Sequence, residues 1–288
     1  MISYARRIAL LLSLTLCLLA SAQAEVMTIP TGVTGIREGT FRGDTSIDQV
    51  VLPEGVTSIG SLAFAESSLT RITIPSTVTS ISADAFDSLT TDRLTFVVTE
   101  DSDGEAAVEA LTADWTAGTC RILEHCDGIS AKTLIEMVKA CIGSPYNGVS
   151  GSRASSYSEI TTKGTDCSGL IYYTFKAMNY KAVHGSDIPY GSNSLWKSAC
   201  YRKKGWLTSE TWNDVVPGDL LFKSKNTVGS SDYGDVYHVG LVVAVTPTSI
   251  TVVHASDYDV GIISTTITNN SKWNLYGHMM DVDYADVP

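Results

Sequence analysis

The stretch VLPEGVTSIGSLAF (residues 51–64) returns in variant form on both sides, as TIPTGVTGIREGTF (28–41) and TIPSTVTSISADAF (73–86). Pro30, Pro53 and Pro75 mark the period, as do Phe41, Phe64 and Phe86, in steps of 23 and then 22 residues. Periods of this length belong to stacked repeats, in which one unit cannot bury its own apolar face and neighbours must do it. Each unit holds a short strand of alternating apolar and polar residues, such as LTRITIP, then a turn, then an Ile and a Phe directed into the coil. DRLTFVV (92–98) reads as the strand of a last, incomplete unit.

The pattern IP..VTSIG..AF resembles the leucine-rich repeats of BspA-type bacterial surface proteins. That resemblance implies a solenoid over residues 25–125 and a role in adhesion or protein binding. A spacer or packing role fits the same residues, because the repeat surface is rich in Thr and Ser and poor in aromatic anchors.

Upstream of the repeats, MISYARR supplies a basic start, IALLLSLTLCLLA an apolar run and SAQA small residues. This is the order of an export signal, with cleavage expected after Ala24. The apolar run is short for a membrane span, and no later segment offers one. The expected location is therefore secreted, periplasmic or cell-surface. Loss of Arg6 and Arg7 with the signal takes the formal charge from −11 to −13. Such a balance argues against a nucleic-acid partner, which needs clustered Lys and Arg. The one dense basic cluster, YRKKGW (201–206), reads as a solvated turn.

After the repeats the chain changes character. Residues 99–128 hold a short helix near 105–113 and the start of a second domain, taken as 126–288. Cys120 and Cys126 flank this boundary as a candidate disulfide. A Cys–His–Cys metal site through His125 lacks a fourth ligand, so no metal or cofactor is expected. SAKTLIEMVKACIG places Leu134, Ile135, Val138 and Cys141 on one helical stripe, with Ser130 as N-cap. DCSGLIYYTFKAM reads as a second helix. PGDLLFK, YHVGLVVAV, SITVVHAS and GIISTTI then read as strands of a largely antiparallel sheet, giving an α+β domain.

Cys167 has three readings: nucleophile, half of a disulfide, or small buried residue. Five cysteines remain after signal removal, an odd number that leaves at least one thiol unpaired. A helix beginning near Ser168 would put the sulfur where backbone N–H groups and the helix dipole favour a thiolate. A thiol nucleophile also needs a base and a group that orients it. His238 opens one predicted strand and His254 closes the next, which brings both to one edge of an antiparallel sheet. Two sheet-edge histidines with no catalytic part are the alternative. His125, His184 and His278 are assigned to the junction, a loop and a late segment. Asp214 and Asp219 read as turn residues, and Trp196, Trp206 and Trp212 as core packing or groove lining.

The series DCSGL, PGDLLF, HVGLVV and VHAS resembles the NlpC/P60 cysteine peptidases, from about residue 129 to 280. The resemblance implies a papain-like core and cleavage of peptidoglycan stem peptides at the γ-D-glutamyl bond to the diamino acid. It assigns Cys167 as nucleophile, His238 as general base and His254 as third residue. By the same resemblance Tyr146, Asp166 and Ser168 shape substrate binding. The chain departs from the pattern after Pro145-Tyr146, where a serine-rich segment (NGVSGSRASSYSEITTKGT) replaces the usual Gly-Gly loop, and Tyr157 or this loop is expected to reshape the pocket. Two other functions fit the residues: a surface adhesin whose peptidase-like domain does not turn over, and an acyl transferase using the same thiol.

Overall fold

The computed structural model describes residues 26–91, 93–116, 119–268 and 272–287. The expected signal, residues 1–24, lies outside the described residues.

The repeats coil as their period requires. Three short strands, Val26–Thr28 (β1), Gln49–Val51 (β3) and Arg71–Ile74 (β5), pair in parallel along one face. The two-residue strands Gly35–Ile36 (β2), Ser58–Ile59 (β4) and Ser80–Ile81 (β6) pair in parallel along another. Phe41, Phe64 and Phe86 form the stack between them. Neighbouring rings stand 5.1 and 5.5 Å apart with their planes nearly parallel, and Phe96 closes the column edge-on at 5.3 Å. One aromatic per turn of the coil thus fixes the register of the whole array.

The array is longer than its sequence pattern. Leu94–Thr99 (β7) joins β5, and after helix Asp103–Thr112 (α1) a further strand, Cys120–His125 (β8), adds to β7 in parallel. Ser102 caps α1 through the Glu105 N–H. Cys120 and Cys126 are both free thiols. The extended strand between them separates their Cα atoms by roughly 20 Å, whereas a disulfide needs about 5.5 Å, so the candidate bridge does not form.

The second half begins with Ile129–Ser130 (β9) and helix Ala131–Ala140 (α2). Ser130 is its N-cap, accepting from the Thr133 N–H at 3.0 Å. Leu134, Ile135, Val138 and Cys141 are buried as the stripe predicts. Two short helical pieces end in Ile160–Lys163 (α3), followed by Cys167–Ala177 (α4), Tyr180–His184 (α5) and Ser192–Ser198 (α6).

Six antiparallel strands complete the domain: Cys200–Trp206 (β10), Leu220–Ser224 (β11), Val236–Val245 (β12), Ile250–Ala255 (β13), Ile262–Ile267 (β14) and Leu275–Met279 (β15). Their order is β10-β15-β11-β12-β13-β14. The basic cluster read as a turn is β10, an edge strand. Lysines suit such an edge because they discourage pairing with another chain. Helices α2, α4 and α6 pack on β12, and that side forms one continuous apolar core.

Val282–Asp283 (β16) returns to pair with β9, and the tail beyond it ties the two halves together. The Arg71 guanidinium donates to the backbone carbonyls of Ala285 and Val287. The Tyr284 N–H donates to the Glu124 carbonyl at 2.9 Å. Lys203 reaches the buried Glu124 carboxylate at 2.6 Å.

Candidate active site

Helix α4 starts at Cys167 because Asp166 caps it. The Asp166 Oδ1 accepts from the Gly169 N–H at 2.7 Å and from the Ser168 hydroxyl at 2.8 Å. Oδ2 accepts from Arg153 at 2.6 Å and from the Tyr190 hydroxyl at 2.7 Å. Four donors on two oxygens leave Asp166 fully engaged within the protein. Arg153 belongs to the serine-rich segment and also lies 4.7 Å over the Tyr190 ring. Gly169 is required here, since a Cβ on it would come within 2.1 Å of the Thr165 hydroxyl.

The Cys167 side chain therefore sits at the first turn of α4, against β12. Its sulfur lies 3.6 Å from the Ser192 hydroxyl at the start of α6. Burial raises the thiol above its ordinary value, opposed by Ser192 and by the N–H groups of Val239 and Ser168. The expected thiolate at the helix start is thus outweighed by desolvation in the resting protein. Tyr146 stands in the same field: burial and a Cys167 anion both raise its phenol. It packs edge-on against Tyr258 at 4.8 Å.

The two histidines meet as the sheet edge predicts. His238 Nε2 lies 2.9 Å from His254 Nδ1, and His254 Nε2 lies 3.0 Å from the Thr265 hydroxyl. Strand register makes this possible: His254 is two residues from Val252, and Val252 sits opposite Thr265 on β14. Burial first, then His254 and Lys223, push His238 down to about 3. Burial and Lys223 push His254 down to about 4, with Asp257 opposing. Both rings are therefore neutral near pH 7.

Trp273 covers the pair, its ring 5.2 Å from His238 and 5.1 Å from His254. Among the described residues no hydrogen bond joins Cys167 to His238. His238 Nδ1, the ring nitrogen not turned to His254, is the one left for a thiol proton.

Gly240 makes room for this pairing. A Cβ there would fall 2.4 Å from Val252 Cγ1 and 3.0 Å from His254 Cβ. Gly240→Ala is expected to lower stability by about 1–3 kcal/mol and to disturb the imidazole contact. Chemical denaturation and imidazole NMR would check it, and a variant as stable as the parent with unshifted rings would refute the steric argument.

The remaining candidates lie elsewhere. His125 and His184 pair with Asp283 and Asp281. His278 is a buried β15 residue 2.8 Å from Asp219. Asp219, read as a turn residue, is fully buried and caps the Val216 N–H at 2.8 Å. Tyr157 donates to the Met137 carbonyl at 2.8 Å, so Arg153, not Tyr157, carries the serine-rich segment into the site. Trp196 and Trp212 are core residues. Ser192, Thr265, Trp273 and Lys223 had no motif to announce them. No group of three or more metal-ligating side chains occurs among the described residues.

A profile described as the BspA-type leucine-rich repeat region (6 copies) matches residues 16–95. No curated protein matches the chain. Among solved structures, an NlpC/P60 family protein from Bacillus cereus aligns at 19% identity and a TM-score of 0.36, over 53% of this chain and 41% of that one. Ly7917 aligns at 14% identity and a TM-score of 0.31, over 52% of this chain and 62% of its own. The chain thus spans about two-fifths to three-fifths of the structures it matches. The N-terminal part is a β-solenoid consistent with the matched leucine-rich repeats, and the C-terminal part is a mixed α/β domain.

Proposed function

We propose that this chain is a secreted or surface thiol peptidase, with a repeat domain over residues 25–125 and a catalytic domain over 126–288. Its substrates are peptidoglycan stem peptides, cut at the γ-D-glutamyl bond to the diamino acid. The observation that carries the reading is the His238–His254 hydrogen bond, whose His238 stands on β12 next to Val239, the residue whose N–H faces the Cys167 sulfur.

In the mechanism, Thr265 accepts from the His254 Nε2–H. His254 Nδ1 is then bare and accepts the Nε2–H of His238. That leaves His238 Nδ1 bare to take the Cys167 proton. The sulfur attacks the scissile carbonyl, and the same imidazole gives the proton to the departing amine. Water then attacks the thioester, with His238 again as base. The oxyanion is stabilised by the Cys167 N–H at the helix start. Tyr146 contacts the peptide, whereas Ser168 is buried with its hydroxyl on Asp166, and Asp166 acts by holding Arg153, Tyr190 and the helix cap in place, so neither reaches the substrate directly. The chemistry uses no metal or cofactor.

The test is incubation of the mature protein with purified peptidoglycan and mass analysis of the fragments released. The adhesin reading has one observation in its favour, the lack of a Cys167–His238 hydrogen bond among the described residues. Wall binding without any new stem-peptide fragment would establish that reading instead. No helix among the described residues is long and apolar enough to cross a membrane.

A further inference from the structure

Lys223 takes no part in the mechanism above. It stands on β11 directly opposite His238, and its ammonium lies 4.7 Å from the centre of the Trp273 ring that covers both histidines. The side chain is half-buried, and among the described residues no carboxylate pairs with it. The charges acting on it are Lys272 and an ionised Cys167. Of the other cations nearby, Lys272 is exposed and Arg153 is neutralised by Asp166 at 2.6 Å.

A partly desolvated, unpaired ammonium costs stability, and this one also lowers the basicity of the two histidines beside it. In a chain of net charge −11, carboxylates are plentiful, yet none pairs with Lys223 among the described residues. The cost is offset when an anion arrives. We propose that Lys223 anchors a carboxylate of the substrate beside the scissile bond, so that the site selects acidic peptides over their amidated counterparts. That the carboxylate belongs to a substrate rests on the peptidase reading; the anion site near the Cys167 sulfur does not.

Alkylation of the full chain separates the two. Iodoacetate and iodoacetamide react identically: the thiolate sulfur displaces iodide, an S–C bond replaces C–I, and the thiol proton passes to solvent. They differ only in a carboxylate against an amide, so their rate ratio at Cys167 cancels changes in thiol acidity. Lys223→Met is expected to lower the carboxymethyl to carbamidomethyl ratio at Cys167 about five- to ten-fold at low salt, with Lys223→Arg retaining it. About 0.5 M salt should narrow the difference. Cys126, at the far junction, serves as internal control by peptide mapping.

A ratio at Cys167 unchanged in Lys223→Met overturns the proposal. A second arm compares stem peptides with a free or an amidated glutamyl α-carboxylate. Lys223→Met should lose about ten-fold on the acid and little on the amide. Equal losses on both also overturn it. Failure of every peptide to react, with the alkylation ratio still responding to Lys223, sinks the peptidase reading and leaves the anion site standing.

Discussion

Cys167→Ala is expected to lower kcat/KM on peptidoglycan stem peptides by about four to six orders of magnitude, the loss that follows removal of a nucleophile from a cooperating set. The protein should stay folded. The sulfur's contacts are the Ser192 hydroxyl at 3.6 Å and the backbone N–H groups of Val239 and Ser168, and Asp166 caps α4 through the Gly169 N–H whatever side chain stands at 167. The expected change in stability is within about 1 kcal/mol. Fragment release measured by mass spectrometry, beside a denaturation curve, separates lost chemistry from lost fold. Products that persist undiminished in the alanine variant would remove Cys167 from the mechanism and, with it, the peptidase assignment. Disulfide formation does not compete for this thiol, since Cys200 is buried beside Met279 and both cysteines are free.

What the sequence disclosed here was whatever depends on local spacing. The Pro and Phe periods of the repeats became the stacked Phe41, Phe64 and Phe86, because a fixed period brings like residues to one radius of the coil. Cys167 at a helix start follows from the Asp166 cap, which is local as well. His238 and His254 share a sheet edge because one begins a strand and the other ends its neighbour. Contacts set by the register of distant strands had no local signal. Thr265 reaches His254 only because β14 pairs with β13 in one alignment, and Lys223 faces His238 only through the β11–β12 register. Composition misled once: the polar YRKKGW reads as a turn until the sheet makes it an edge strand. Asp219 does close the Val216–Asp219 turn, but nothing local announced its burial against His278.

Substitution of His238 carries the other large effect, and its signature is in the pH profile. The competent pair is a protonated thiol and a neutral imidazole, holding one proton between them. Burial keeps His238 near 3 and His254 near 4, so acid should inhibit only as pH falls below about 4, with no inflection at the ordinary histidine value of about 6.5. The alkaline limb belongs to the thiol, which burial raises, so activity should fall only above the ordinary thiol range.

His238→Gln keeps the volume of the ring but has no basic nitrogen. It is expected to reduce kcat/KM by about 10²–10⁴, and what remains should climb steadily with pH towards the thiol value, because only the thiolate can then attack. The same depressed histidines make stability pH-dependent. The unfolded chain takes up a proton near 6.5 while the folded chain does not, so stability is lost as pH falls from there towards 3. His238→Gln should flatten that slope. A wild-type acid limb near 6.5, or a glutamine variant with an unchanged profile, would show that His238 is a solvated sheet-edge imidazole and not the buried base.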